Sequence, residues 1–143
     1  MRSTWVLVGD ASKGRLFRVG PRRKDWQLIR ELKHPESRAK GRDLITDRPG
    51  RVKQSATPLR PAIDPGKQPH QVESEAFAHS IAKMLESGLA ANSYEQLVLI
   101  APPYFLGLLR AALSETVAKR VQRTFDKDYT ALEARDLAER IWI

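Results

Sequence analysis

Leu97-Val98-Leu99-Ile100-Ala101 is a continuous run of apolar residues, and Pro102-Pro103 follows it directly. A run without polar alternation is typical of a strand that is buried on both faces of a sheet. Such strands occur mainly in α/β proteins, where helices cover the sheet. The run therefore predicts a central strand in an α/β domain.

The residues on both sides of this strand predict helices. Apolar residues recur at helical spacing from Val72 to Leu85, and Gly88 is interpreted as the stop signal of this first helix. After the strand, Pro102-Pro103 opens a second helix whose apolar positions continue to Val121.

Further along, a short strand and a third helix are predicted. The strand lies near residues 121–125. Thr130-Ala131-Leu132-Glu133 has the sequence of a capping box, so we expect the third helix to start at Thr130, with the Thr130 side chain as its cap.

The first third of the chain predicts three short strands. Apolar, β-favouring runs separated by turn residues occupy residues 4–8, 15–19 and 26–32. Connections this short favour antiparallel pairing. In the third run we expect Trp26, Leu28 and Leu32 to face one side, with Arg30 interrupting the alternation.

Regular periodicity is absent from residues 34–69, which hold six of the nine prolines. A segment of this length is usually functional or disordered, so we expect a long flexible loop after the third strand. The whole pattern predicts one domain over residues 1–143, with a mixed sheet of about five strands, three helices and this loop.

Positive charge is concentrated in residues 13–53, which hold 14 Lys or Arg against 5 Asp or Glu, while the rest of the chain holds 11 against 12. Charge of this kind indicates a surface for polyanions such as nucleic acid. A solvated face that only maintains solubility is the alternative.

Within the long loop, six basic residues are candidates for phosphate contacts, since guanidinium groups bind phosphate in a bidentate manner. They are Arg38, Lys40, Arg42, Arg48, Arg51 and Lys53. Aromatic residues are absent from residues 39–69, so contact with the backbone of structured RNA is favoured over base stacking.

Several other kinds of site are disfavoured. The chain has no cysteine, which excludes disulfides and thiolate chemistry. The glycine-containing stretch at residues 9–15 lacks the Lys-Ser/Thr and helix of a P-loop and predicts a hairpin turn. His34, His70 and His79 have no metal-ligand spacing and are expected to be exposed. We predict no cofactor and no metal site.

Carboxylates leave one catalytic alternative open. Asp10 follows the first predicted strand, and Asp126 and Asp128 follow the last. If those strands are neighbours, the carboxylates could converge on Mg²⁺, as in two-metal nucleases. Alternatively, Asp10 caps a turn and Asp128 precedes the helix that begins at Thr130.

Targeting signals are also not evident. No apolar run approaches the length of a membrane span, and the run at residues 5–8 is too short for a signal peptide. Cytoplasmic residence is therefore the expectation.

Five segments, in order over nearly the whole chain, resemble the bacterial host-attachment protein family. They are Trp5-Val6-Leu7-Val8-Gly9-Asp10-Ala11-Ser12-Lys13-Gly14-Arg15-Leu16-Phe17, Leu44 with Asp47-Arg48-Pro49-Gly50-Arg51, Glu75-Ala76-Phe77-Ala78, Leu97-Val98-Leu99-Ile100-Ala101-Pro102-Pro103-Tyr104-Phe105-Leu106-Gly107-Leu108-Leu109-Arg110, and Asp126-Lys127-Asp128-Tyr129-Thr130.

That family is in turn similar to the middle domain of archaeal and eukaryotic peptide-chain release factors, which has a ribonuclease-H-like fold. There, a long loop after the third strand carries Gly-Gly-Gln into the peptidyl-transferase centre. The resemblance implies the same fold and a working loop at residues 34–69. This chain has no Gly-Gly pair, and Gly66-Lys67-Gln68 is the nearest approach, so Gln68 is only a weak catalytic candidate.

The leading expectation is a non-catalytic or weakly catalytic module that binds ribosomal RNA or tRNA, related to translation release or rescue factors. The alternatives are a peptidyl-tRNA hydrolase that uses Gln68, a metal-dependent nuclease that uses Asp10 and Asp128, and an interaction protein for attachment to host cells. A homo-oligomer is also compatible with the sequence.

Overall fold

The computed structural model describes residues 3–20, 25–34 and 69–141. Within them, the strands are β1 (Thr4–Gly9), β2 (Lys13–Val19), β3 (Trp26–Lys33), β4 (Gln96–Ile100) and β5 (Val121–Phe125). The helices are α1 (Pro69–Ala90), α2 (Pro103–Ala112), α3 (Glu115–Ala118) and α4 (Ala134–Arg140).

The strands form one mixed sheet in the order β3-β2-β1-β4-β5. β1 pairs antiparallel with β2, and β2 pairs antiparallel with β3. β4 lies between β1 and β5 and is parallel to both. The predicted α/β class and five-stranded mixed sheet are confirmed, and β4 is the central strand that its apolar run predicted.

Helices cover both faces of this sheet. On the α1 face, Trp5 and Leu7 of β1 belong to a buried cluster with residues of α1, α2 and α3. On the α4 face, Val6 and Val8 pack in a second cluster with Leu137 of α4. Alternate residues of β1 thus enter opposite cores, because successive side chains of a strand point to opposite faces.

β3 departs from the predicted alternation. The register between β2 and β3 shifts at Ile29, which has no residue opposite it. Trp26 packs in the cluster on the α4 face, whereas Leu32 packs in the cluster on the α1 face. The expectation that these two residues share a face is wrong, because an extra residue in one strand reverses the faces beyond it.

Helix α1 continues through Gly88, contrary to the expected stop. It ends at Ala90, and Asn92 follows in the left-handed region with φ 59°. Asparagine tolerates this conformation and can end a helix as glycine does.

The second and third helices also differ from their predicted bounds. The apolar positions after Pro103 belong to two helices, because Leu113 is extended and the Ser114 hydroxyl accepts a hydrogen bond from the N–H of Val117, which starts α3. Four helices are therefore seen in the described residues rather than three.

The predicted capping box at Thr130 is wrong. The side chain and N–H of Thr130 both donate to Oδ1 of Asp128, so the Thr130 side chain does not cap a helix, and α4 begins four residues later.

Candidate anion-binding cleft

A cleft of about 130 Å³ lies beside the turn that joins β1 to β2 and the end of the β2–β3 pair at Lys13 and Lys33. Three strands and the segment before α4 contribute to its walls. Its lining residues are Val8, Lys13, Gly14, Arg15, Glu31, Leu32, Lys33 and Thr130. Three of them are cationic and one is a carboxylate. We refer to this site as the basic cleft.

Strand register brings the charges together. Lys13 lies directly opposite Lys33 across the β2–β3 pair, and Arg15 lies opposite Glu31. Like charges placed directly opposite each other destabilise a sheet by a few tenths of a kcal/mol or more. An anion bound between the two lysines would remove that repulsion.

A turn before β2 fixes the position of Lys13. Oδ1 of Asp10 accepts hydrogen bonds from the N–H groups of Ser12 at 2.8 Å and Lys13 at 2.9 Å. The N–H of Asp10 donates to the Lys13 carbonyl at 2.8 Å, which closes the turn. Asp10 thus holds the backbone that presents Lys13, in agreement with the turn-capping interpretation of this residue.

Arg15 connects β2 to the segment that precedes α4. Its Nη2 donates to the carbonyls of Tyr129 at 3.3 Å, Thr130 at 2.9 Å and Leu132 at 2.6 Å. Its guanidinium carbon lies 5.3 Å from the centre of the Phe17 ring. This arrangement holds Thr130 at the wall of the basic cleft.

The electrostatic environment of Arg15 is mixed. Partial burial lowers the pKa of Arg15 below its ordinary value, and the Glu31 carboxylate partly offsets this by raising it. Arginine stays protonated despite such shifts, since its ordinary pKa exceeds 12. The basic cleft therefore keeps three positive charges against one negative charge at neutral pH.

Comparison with known protein families decides the classification. A family whose members are described as "Protein required for attachment to host cells" matches residues 5–141. The chain belongs to this family. No curated protein matches it. Among the described residues of this host-attachment family protein, no helix is long and apolar enough to cross a membrane.

The structure does not bring the predicted carboxylates of this family member together. β1 and β5 are not neighbours, because β4 lies between them. Asp10 accepts from its own turn, and Asp128 accepts from Thr130. Within the described ranges, no group of three or more His, Asp or Glu residues is arranged to hold a metal ion. The condition for convergence on Mg²⁺ is therefore not met.

His34 is not the exposed residue that was expected. It is 5% exposed, and its ring stacks on Phe77 of α1 with 5.3 Å between centroids. The backbone N–H of His34 donates to the Ser12 carbonyl at 3.0 Å. Its Nε2 has no hydrogen-bond partner in the described part of the chain. His79, in contrast, is exposed as predicted.

The remaining predicted site residues lie outside the described residues. These are Arg38, Lys40, Arg42, Arg48, Arg51, Lys53 and Gln68. Residues 35–68 connect β3 to α1, directly after His34. The basic cleft therefore lies beside the point where this stretch leaves the sheet.

The sequence places Lys13 in a turn within the basic block at residues 13–53. Residue spacing alone does not group it with Arg15, Lys33 and Thr130. These residues are distant in sequence, and only the β2–β3 register and the Arg15 contacts bring them together. Alignment of the β2 and β3 sequences as an antiparallel pair is the signal that would reveal the Lys13–Lys33 pair.

Proposed function

We propose that this host-attachment family protein is a binding module for structured RNA, with tRNA or ribosomal RNA as the partner. The observation that carries the proposal is the pairing of Lys13 with Lys33 at the sheet end from which residues 35–68 depart. The phosphate backbone of RNA is the abundant polyanion that such a surface fits.

Both lysines are available for an anionic ligand. Each is exposed, and in the described residues neither ammonium group has a carboxylate within ion-pair distance. A surface ion pair between a lysine and a carboxylate contributes little to stability. Two unpaired lysines held opposite each other by backbone pairing are a better site for phosphate than scattered surface cations.

The sequence that follows β3 extends this positive surface. Arg38, Lys40, Arg42, Arg48, Arg51 and Lys53 come within twenty residues of Lys33 along the chain. We propose that these residues contact further phosphates. Arginine predominates among them, which favours bidentate contacts.

The arrangement of the strands supports a ribonuclease-H-like assignment. Three antiparallel strands precede two strands that are parallel to β1, and residues 35–68 separate β3 from α1 in the sequence. The release-factor middle domain resembled by this family carries its working loop at the same point. Since this chain lacks Gly-Gly-Gln, we propose binding rather than peptidyl-tRNA hydrolysis.

Filter binding of tRNA over a range of salt concentrations tests the proposal. We expect the logarithm of the binding constant to fall linearly with the logarithm of salt concentration, because cations displaced from the RNA are released. The double variant Lys13→Gln, Lys33→Gln should bind more weakly and reduce the slope by about 2, one for each phosphate contact.

Lys83→Gln, Arg110→Gln is the matched control. It removes the same charge from exposed positions on α1 and α2, which cover the face opposite to α4. The proposal is wrong if binding does not depend on salt, or if both double variants lose affinity equally. Release of the protein from ribosomes at high salt provides an independent measurement.

The family description favours a second function, in attachment to host cells. Protease treatment of intact cells distinguishes a role in attachment from RNA binding. Digestion of the protein without lysis would support a surface role, whereas full protection would support binding to RNA inside the cell.

A further inference from the structure

We propose that the basic cleft binds one terminal phosphate monoester, so that RNA is recognised at a phosphorylated end. This inference rests on the proposed function and specifies the chemical group that occupies its site. The supporting observations are the size of the cleft, its charge and its unused donors.

The size of the cleft fits a single phosphate. A volume of about 130 Å³ leaves room for the five heavy atoms of a phosphate group. Val8 and Leu32 form apolar parts of the wall, so the polar contacts are restricted to a small region.

The charge of the cleft fits a dianion. Among the described lining residues, Lys13, Arg15 and Lys33 face one carboxylate, Glu31, which leaves two positive charges in excess. A phosphate monoester carries about −1.5 to −2 at neutral pH, whereas a phosphate within an RNA chain carries a single charge. A terminal phosphate therefore balances this site better than an internal one.

Donors for phosphate oxygens are present on two sides. The Nη2 group of Arg15 is occupied by three carbonyls, but its Nε and Nη1 groups have no acceptor in the part of the chain that the structure describes. Each lysine ammonium offers three further N–H donors. Thr130 contributes shape rather than a donor, because its hydroxyl already donates to Asp128 at 2.7 Å.

Two RNA oligonucleotides of one sequence, with a 5′-phosphate or a 5′-hydroxyl, test the inference at fixed salt. A third with a 3′-phosphate identifies the preferred end. We expect at least one phosphorylated end to bind roughly tenfold more tightly, as one additional charge-assisted hydrogen bond would produce. Lys13→Gln, Lys33→Gln should abolish the difference, and Lys83→Gln, Arg110→Gln should retain it.

The possible failures are distinguishable. Equal affinity of the three RNAs, with a normal salt slope, would overturn the terminal-phosphate inference and leave RNA binding intact. No affinity for any of them would overturn both proposals. Competition arms use inorganic phosphate, a mononucleotide and a phosphoserine peptide. Tighter binding of the phosphopeptide than of any RNA end would reassign the cleft to a phosphoprotein and also overturn the inference.

Discussion

Gly88 of α1 lies against the indole ring of Trp5 in β1. A Cβ atom at position 88 would lie 2.6 Å from Cζ3 and 2.7 Å from Cη2 of that ring. The indole also stacks on Tyr94, with 4.7 Å between ring centroids, and Cε1 of Tyr94 would lie 3.3 Å from the same Cβ atom. The absence of a side chain at Gly88 therefore allows the helix to approach the sheet.

Gly88→Ala should destabilise the protein although alanine favours helices. The added methyl group meets the buried Trp5 ring and the Tyr94 ring stacked on it, and overpacking of this kind typically costs about 1–3 kcal/mol. Urea unfolding followed by circular dichroism measures the change.

Gly107→Ala is the control for this prediction. Apart from its own helix backbone and chain neighbours, no atom of the described residues lies within 4 Å of a Cβ built at Gly107, which is exposed in α2. This substitution should stabilise by up to about 1 kcal/mol through helix propensity alone. Stabilisation by both substitutions would show that Trp5 can move aside.

Arg15→Gln should destabilise the protein through the segment before α4. The substitution removes the donor to three backbone carbonyls, and hydrogen bonds to charged groups contribute about 1.5–3 kcal/mol. Arg15→Lys should retain only part of this stabilisation, since an ammonium group lacks the planar fork of N–H donors of a guanidinium group. Amide hydrogen exchange of α4 would locate the effect.

Arg18→Gln serves for comparison because Arg18 is exposed three residues along the same strand, where it donates to Gln27 at 3.3 Å. Its effect should stay within about 0.5 kcal/mol. Similar losses at positions 15 and 18 would contradict the role given to Arg15.

Stability should fall with pH between about 10 and 12 because of Tyr94. Its hydroxyl donates to the Leu85 carbonyl at 2.6 Å. Burial raises the pKa of Tyr94 to about 12, with Arg120 lowering it and Glu86 raising it to smaller extents. The unfolded chain loses this proton near pH 10, so the stabilisation is complete below that pH and is lost towards pH 12.

The expected loss is roughly 2–3 kcal/mol, since one pKa unit corresponds to about 1.4 kcal/mol. Unfolding free energies of the wild type and Tyr94→Phe, measured from pH 8.5 to 12, should converge as pH rises. Tyr104→Phe should follow the wild type because Tyr104 is largely exposed. Parallel curves for the wild type and Tyr94→Phe would contradict this assignment.

Glu31→Gln should strengthen anion binding in the basic cleft. The carboxylate is the one negative side chain among the described residues that line the cleft, and its removal raises the excess positive charge. We expect a several-fold lower Kd for inorganic phosphate by isothermal titration calorimetry, with a smaller gain at high salt because of screening. Glu115→Gln, at an exposed position on α3, should leave the Kd unchanged. Weaker phosphate binding by Glu31→Gln would exclude the cleft as the anion site.

Much of the sheet could be predicted because its strands are locally marked. The apolar run of β4 is fully buried, and the turn residues between β1 and β2 give the expected hairpin. The errors occur where a residue meets a distant partner. Gly88 was expected to stop helix α1, but its role is to make room for Trp5. His34 was expected to be exposed, but Phe77 of α1 packs against its ring.

The basic cleft was predictable only in part. The local excess of positive charge was evident, and Lys13 lies within it. The pairing with Lys33 depends on strand register, and the bulge at Ile29 reverses the faces of β3. Such long-range relationships are not encoded in the spacing of residues along one strand.

The parallel pairing of β1 with β4 has a consequence for synthesis of the chain. Thr4 lies opposite Gln96, ninety-two positions later, whereas the partners of β1 in β2 end at Val19. At about 5–20 residues per second, a ribosome needs roughly 5–20 s to supply the missing strand. Proteolysis of stalled chains that end before Gln96 should therefore cleave β1, and chains that extend past Phe125 should resist. Until then, one edge of the most apolar N-terminal strand is open to pairing with other chains, so the nascent protein is most prone to aggregation when it is two-thirds complete.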